Sequence, residues 1–153
     1  MDHSQAITDY VSQFLSELGN LTDTTIEVKK DSETPAYHIL LQTQNPALLI
    51  GYHGETLSAL QFFLSVHLNQ KLNEKILISL NVNDYKERRQ TSLEALADSA
   101  VAQVRATNQA HALPPMSAAE RRLVHMHLAN IDDIVTASTG EGRSRSVVIS
   151  PKS

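Results

Sequence analysis

Apolar residues recur every three or four positions in the first part of the chain and then alternate with polar ones. The periodic stretch, residues 5–18, predicts an amphipathic helix, and Gly19 follows it as a stop signal. Residues 25–30 and residues 37–43 each predict a strand. The inward positions of the helix would be Ile7, Tyr10, Val11, Phe14, Leu15 and Leu18.

Two glycines, Gly51 and Gly54, stand between a short and a long predicted helix. Asn45-Pro46 starts the short helix, because Asn is a good N-cap residue and Pro suits the first helical position. The long helix should run from residue 55 to about residue 69, and residues 76–82 predict a third strand. The predicted order up to this point is therefore α-β-β-α-α-β.

From residue 84 onward the pattern describes a second module. Asp84-x-x-Glu87 resembles a capping box and should open a long helix. Ser117-x-x-Glu120 is a second capping box, and its helix should end near Ala129. We therefore predict an α+β protein with modules at residues 1–83 and 84–153. The remaining segments are an extended link and two strands, at residues 111–115, 134–138 and 146–150.

Composition and charge narrow the range of functions. The chain has 153 residues, of which 41% are hydrophobic and 20% charged, so it is globular in composition. Its net charge of -4 counts against a binder of nucleic acid that relies on overall charge. The charge is uneven, because residues 1–83 hold four Lys/Arg against nine Asp/Glu and residues 84–153 hold nine against eight.

Residue types and sequence patterns that the chain lacks exclude several kinds of site and of protein. The chain has no cysteine, which excludes disulfides, thiolate metal sites and cysteine catalysis. No signal-peptide pattern and no apolar run near the roughly 20 residues of a membrane span is visible. These features lead us to expect a cytoplasmic protein with no membrane segment.

The Gly-x-x-Gly sequence is the first candidate binding feature. Two glycines three apart let the backbone approach a ligand closely. The helix that begins at Glu55 adds N–H groups and a positive dipole end, which favour a phosphate. On spacing alone, an ordinary helix–helix turn explains the two glycines equally well.

Residues 48–61, Leu-Leu-Ile-Gly-Tyr-His-Gly-Glu-Thr-Leu-Ser-Ala-Leu-Gln, resemble the core of a KH domain. They are especially similar to the KH domain of the Jag (KhpB) family of bacterial RNA-binding proteins. The resemblance implies the type II KH fold, whose loop clamps about four single-stranded nucleotides. It assigns that role here to Gly51, Tyr52, His53 and Gly54.

This loop departs from the family pattern at its two central positions. The family often has basic residues there, whereas this chain has Tyr52 and His53. We therefore expect weaker contact with phosphate and a tyrosine ring available to stack on a base. The alternative is a degenerate loop that is retained for folding or dimerisation.

Arg121 and His125 are the second candidate. They stand four apart on a predicted helix and are therefore neighbours on one face. A guanidinium beside an imidazole suits a phosphate oxygen. On spacing alone, a chance pair on a solvated helix face is the simpler explanation. The buried stripe of this helix is predicted to consist of Leu123, Val124, His127 and Leu128.

Residues 115–125, Pro-Met-Ser-Ala-Ala-Glu-Arg-Arg-Leu-Val-His, resemble the R-3-H domain, which is named for its Arg-x-x-x-His sequence. Residues 140–149 resemble its closing hairpin, and residues 84–89 the start of its long helix. The resemblance implies binding of single-stranded nucleic acid, with Arg121 and His125 contacting phosphate. A surrounding basic surface would comprise Arg122, Arg143 and Arg145; the last two, expected in an extended segment, should project to one side.

A KH domain followed directly by an R-3-H domain is the Jag (KhpB) arrangement, without the N-terminal Jag domain of many relatives. It implies a post-transcriptional regulator that binds single-stranded RNA, with single-stranded DNA as a further ligand. The alternative function is an interaction scaffold that dimerises through the KH domain, with a second copy or with a separate single-KH protein.

An enzyme is the remaining class. A nuclease would need an acid/base pair or carboxylates that hold a metal. Asp132-Asp133 is the one adjacent acidic pair, and it falls at a predicted helix-to-strand turn. His125 and His127 point in different directions on their helix and make a poor metal pair. We therefore expect no enzymatic activity, no metal and no cofactor.

Overall fold

The computed structural model describes residues 2–19, 21 and 23–152. The chain divides into two compact units, Met1–Lys86 and Glu87–Ser153. Each unit has its own cluster of buried apolar side chains. Within the described residues, no helix has both the length and the apolar character needed to cross a membrane.

The first unit has the predicted α-β-β-α-α-β order, and the α+β class is confirmed. Its sheet has the strand order β1-β2-β3, in which β1 and β2 are antiparallel and β2 and β3 are parallel. A short 3₁₀ turn, Tyr52–Gly54, connects the two helices that flank the glycines. The elements are α1 (Ser4–Gly19), β1 (Thr25–Lys30), β2 (Ala36–Gln42), α2 (Pro46–Ile50), α3 (Glu55–Leu72) and β3 (Leu77–Val82).

The core of the first unit forms between the helices and the sheet. Ile7, Val11 and Leu15 of α1 are buried as predicted. Leu18, predicted to face inward, is instead 51% exposed. The chain folds back after α1, with the Leu21 N–H donating to the Leu15 carbonyl oxygen over 3.4 Å, so that Leu21 enters the core in its place.

The second unit combines two helices with a three-stranded sheet of order β4-β6-β5. Residues 111–115 were predicted to form only an extended link. They contain the two-residue strand β4, in which His111 lies opposite Ile149. A strand of two residues is too short to show an alternating pattern in the sequence. The elements are α4 (Tyr85–Thr107), β4 (His111–Ala112), α5 (Ala118–Leu128), β5 (Ile134–Thr139) and β6 (Ser146–Pro151), with a 3₁₀ turn at Gly142–Ser144.

The start of α4 differs from the predicted capping box. Asp84 has a φ of 56°, in the left-handed region, whereas the first residue of a capping box has an extended backbone. The Lys86 N–H donates instead to the side-chain oxygen of Asn81 over 3.2 Å. An asparagine of the preceding strand therefore contributes to the helix start.

The start of α5 is the predicted capping box, and it is more extensive than the sequence showed. The Ser117 hydroxyl accepts the Glu120 N–H over 3.3 Å, and Glu120 Oε2 accepts the Ser117 N–H over 2.9 Å. The other carboxylate oxygen accepts Nε of Arg89 over 2.7 Å. Glu120 is only 7% exposed, so this carboxylate is both buried and paired.

Asp133 takes part in another ion pair of this unit. Arg105 donates to both of its carboxylate oxygens, over 2.6 and 2.8 Å. The Arg105 guanidinium therefore holds the pKa of Asp133 below its usual range. Both side chains are about half exposed, so solvent screens this pair far more than the pair at Glu120.

The burial of Glu120 gives the first prediction. Glu120→Ala removes one half of the capping box and leaves the Arg89 guanidinium without its carboxylate, so we expect it to lower the free energy of unfolding by about 2–4 kcal/mol. Urea denaturation followed by circular dichroism measures this loss. Asp133→Ala, which breaks the exposed pair, is the control and should have a clearly smaller effect. Equal losses in the two variants would contradict the structural role of Glu120.

Candidate nucleic-acid interface

The first candidate surface is the glycine corner between α2 and α3, defined as residues 51–54. Gly51 and Gly54 have φ of 70° and 81°, and His53 between them has φ of 49°. A Cβ on Gly51 would collide with the Thr56 side chain, and one on Gly54 would lie 3.0 Å from the Tyr85 ring. Both glycines are therefore needed to build the corner, whatever ligand it binds.

The two central residues of the corner form a pair of stacked rings. The Tyr52 and His53 ring centroids are 4.1 Å apart, and the planes differ by 13°. Tyr52 remains 72% exposed. The corner thus presents an aromatic surface, with the start of α3 at Glu55 directly behind it. Gly54 is the N-cap there and has no side chain to cap α3, and the Glu55 N–H donates to the Tyr52 carbonyl oxygen. The positive end of the α3 dipole therefore lies at the corner and favours an anion.

The second candidate surface is the outer face of α5. Its buried side consists of Glu120, Val124 and Leu128. The predicted stripe is wrong in part, because Leu123 is 37% exposed and His127 lies at the surface, 2.7 Å from an Asp98 oxygen. The buried Glu120 explains the difference, since it rotates the inward line of α5 to positions 120, 124 and 128.

Arg121 and His125 lie side by side on α5, outside the buried side, and both are half-buried. One terminal guanidinium nitrogen of Arg121 donates to the Met116 carbonyl oxygen over 2.8 Å, which holds the fork in place. Nδ1 of His125 lies 2.7 Å from the Thr136 hydroxyl oxygen on β5. Because Nδ1 is engaged in this bond, Nε2 is the ring nitrogen left for a ligand.

A depression of about 380 Å³ opens beside these two residues, and we call it the α5 depression. Five of its lining residues lie on one side of α5, and the others are Ala129, which directly follows the helix, and Ser138 of β5. None of the lining residues is acidic. The full lining is Ala118, Arg121, Arg122, His125, Met126, Ala129 and Ser138.

The two arginines of the closing hairpin have different positions. Nε of Arg145 donates to the Ser138 hydroxyl over 3.0 Å, which places this guanidinium at the edge of the α5 depression. Arg143 lies in the 3₁₀ turn Gly142–Ser144 and does not line the depression. The expectation that both arginines project from one extended segment is therefore wrong, because the chain turns at Arg143.

Comparisons with known proteins identify a family domain in each part of the chain. The model of the KhpA/KhpB KH domain matches residues 8–82, and the model of the R-3-H domain matches residues 91–151. The RNA-binding protein KhpB of Clostridium symbiosum is 31% identical over 97% of this chain and 68% of its own length. That of Bacillus subtilis is 31% identical over 99% of this chain and 72% of its own length.

The chain belongs to the KhpB family. Another relative, the RNA-binding protein KhpB of Lactiplantibacillus plantarum, is 35% identical over 95% of this chain. The chain spans only 44% of the length of that relative. The KhpB-family assignment agrees with the resemblance of the glycine corner and of the Arg-x-x-x-His sequence.

Sequence reasoning did not find three residues at the second candidate surface. Thr136 and Ser138 alternate on β5 and face α5, but only the three-dimensional packing shows that they meet His125 and Arg145. Met126 is different, because it stands four residues after Arg122. The helical spacing was therefore a usable signal for its place beside the two basic residues.

The bond between His125 and Thr136 gives the second prediction. Thr136→Val keeps the shape of the side chain but removes the hydroxyl, so Nδ1 of His125 should lose its hydrogen-bond partner and the ring should be held less firmly. We expect the nitrogen chemical shifts of the His125 ring to change, as measured by long-range ¹H–¹⁵N NMR. Thr139→Val, on the same strand, is the control and should leave them unchanged. Identical His125 shifts in the Thr136 variant would show that the hydroxyl does not orient the ring.

Proposed function

We propose that this chain binds single-stranded RNA, and that it does so at the glycine corner and at the α5 depression. One observation carries the proposal: Arg121, Arg122 and His125 converge on a concave surface that no acidic side chain lines. Positive groups around an open, acid-free depression favour the sugar-phosphate chain of nucleic acid. The relatives' common name, RNA-binding protein KhpB, supports RNA as the ligand.

At the α5 depression, Arg121 and His125 contact one phosphate in this proposal. Arg121 supplies a fork whose orientation is held by Met116, and His125 supplies the Nε2 side of a ring held by Thr136. Arg122, Arg143 and Arg145 add positive charge around them. Arg145 is the better placed of the two hairpin arginines, because it is bonded to Ser138 of the lining.

At the glycine corner, Gly51, Tyr52, His53 and Gly54 contact the RNA backbone and its bases. The positive end of the α3 dipole favours a phosphate, and the exposed Tyr52 ring offers a stacking surface. Residues 1–83 carry an excess of five negative charges, so this contribution should be the weaker one.

The proposal assigns the two binding surfaces to modules at residues 1–83 and 84–153 of one chain. Covalent linkage makes the second contact intramolecular and raises the apparent affinity by effective concentration. Contacts to phosphate also admit single-stranded DNA as a ligand. We further propose a cytoplasmic, non-enzymatic role in post-transcriptional regulation, in which the chain holds RNA without cleaving it.

The α5 depression gives the third prediction. The double variant Arg121→Ala, His125→Ala removes charge-assisted bonds to phosphate, so we expect its affinity for labelled single-stranded RNA to fall by about tenfold or more. Fluorescence anisotropy at several salt concentrations measures it, and the slope of log affinity against log salt should decrease by about 1 to 2. Arg105→Ala, which removes an arginine paired with Asp133 outside the depression, is the charge-matched control. Unchanged affinity in the double variant would exclude the α5 depression as a binding site.

A second function, dimerisation through the first unit, has its own supporting observation. Phe62 and Val66 of α3 are 73% and 47% exposed and stand four residues apart on one side of the helix. Large exposed apolar side chains adjacent on a helix are typical of a contact surface. Either a second copy of this chain or a separate single-KH protein would fit this surface.

The α3 surface gives the fourth prediction. In sedimentation velocity, the unchanged chain at tens of micromolar should have the mass of a dimer. Phe62→Asp should reduce that mass to one chain, because a buried unpaired carboxylate opposes association. Leu18→Asp, at an apolar position of α1 that is 51% exposed, should leave it unchanged. A single-chain mass for the unchanged protein would exclude the homodimer and leave only the pairing with a different protein.

A further inference from the structure

The floor of the α5 depression is apolar, although its edges are basic. Met126 is 61% exposed, and the small side chains of Ala118 and Ala129 lie along the same side of α5. A site that bound phosphate alone would gain nothing from an apolar floor. Single exposed apolar residues are common on protein surfaces, but this one adjoins three groups that suit phosphate.

The order of side chains around α5 separates two halves of the depression. At about 100° per residue, Arg121 and His125 lie on one side, and Met126 lies on the other side with Arg122 next to it. Ala118 and Ala129 project between the two sides and leave the space open. Side chains three or four positions apart are neighbours, so the polar half and the apolar half are adjacent parts of one site.

We propose that Met126, Ala118 and Ala129 form the seat for one unpaired nucleobase whose phosphate contacts Arg121 and His125. This inference rests on the proposed function and deepens it, because it names a whole nucleotide as the ligand of the α5 depression. The Met126 thioether lies against the face of the base, a contact in which the polarisable sulfur is favourable. Arg122 adds its planar guanidinium beside the same base.

The seat also predicts a preference for single strands. In a duplex, both faces of each base are covered by stacked neighbours, so no face can lie on Met126. An unpaired nucleotide offers its base and its phosphate together. The α5 depression therefore selects unstacked nucleotides by the chemistry of its floor, in addition to the charge at its edges.

Methionine methyl NMR provides a local test in the full chain. The chain has three methionines, and the buried Met116 serves as an internal reference. A chain with ¹³C-labelled methionine methyl groups is titrated with oligoadenylate, and the Met126 signal is assigned with Met126→Leu. We expect the Met126 methyl signal to move upfield through the ring current of the base, while the Met116 signal stays in place. An abasic sugar-phosphate oligomer of the same length should leave both signals in place.

Affinity measurements on matched variants provide a second test. Met126→Ser should weaken oligoadenylate binding by about three- to tenfold and leave the binding of the abasic oligomer unchanged. Leu123→Ser, an apolar position on α5 outside the depression, should leave both affinities unchanged. Met126→Leu should retain most of the oligoadenylate affinity, because it keeps an apolar surface for the base.

The outcomes separate this inference from the proposed function. If binding depends on Arg121 and His125 while the Met126 signal and the Met126→Ser affinity do not change, the base seat is refuted and the phosphate site stands. If the abasic oligomer moves the Met126 signal as much as oligoadenylate does, the seat is likewise refuted. If the loss of Arg121 and His125 has no effect on binding, both the phosphate site and the seat built on it are refuted.

Discussion

Burial of the Glu120 carboxylate sets the rotation of α5, and the outer face of that helix follows from it. Its oxygens accept the Ser117 N–H and the Arg89 side chain, so these two partners compensate the burial of the carboxylate in this orientation of the helix. With position 120 inside, Val124 and Leu128 follow it into the core at intervals of four. Arg121 and His125 are thereby turned outward together. Turning Glu120 out of the core would separate it from Arg89, and separating the partners of a buried ion pair costs free energy.

In the first unit, the fold itself requires the two glycines of the glycine corner, independently of any ligand. The Thr56 side chain leaves no room for a side chain at position 51, and the Tyr85 ring leaves little room at position 54. Between the two glycines, the Tyr52 side chain stays exposed. The corner can therefore keep its shape while its central residues determine how strongly it binds. In this chain they are aromatic instead of basic, which shifts the expected contact from phosphate attraction toward stacking.

Local patterns predicted most of the fold because each element carries its own signal. The period of α1, the alternation of β1 and the capping box at Ser117 are all readable from neighbouring residues. What escaped prediction depends on partners far along the chain. From the sequence, Glu120 is expected at the surface, whereas the structure buries it beside Arg89. His127 was predicted to lie in the core but lies at the surface near Asp98. The contact of the Thr136 hydroxyl with His125 also depends on distant partners, because it forms only when α5 packs on β5.

The candidate site likewise contains residues that the sequence placed correctly and residues that it did not. The Arg-x-x-x-His spacing placed Arg121 and His125 on one face, and the structure shows them there. The hairpin arginines were expected to project together, but the 3₁₀ turn at Gly142–Ser144 separates Arg143 from Arg145. Turns of this kind depend on a few backbone angles that strand periodicity does not report. The positions of Arg121 and His125 were therefore predictable, and those of the hairpin arginines were not.

Ultraviolet crosslinking of the full chain to RNA, followed by mass-spectrometric mapping of the crosslinked residues, tests the central claim most directly. The account predicts crosslinks in two clusters, one at residues 51–54 and one at the outer face of α5 within residues 118–129. Crosslinks spread over surfaces that exclude both clusters, or the absence of any crosslink, would contradict it.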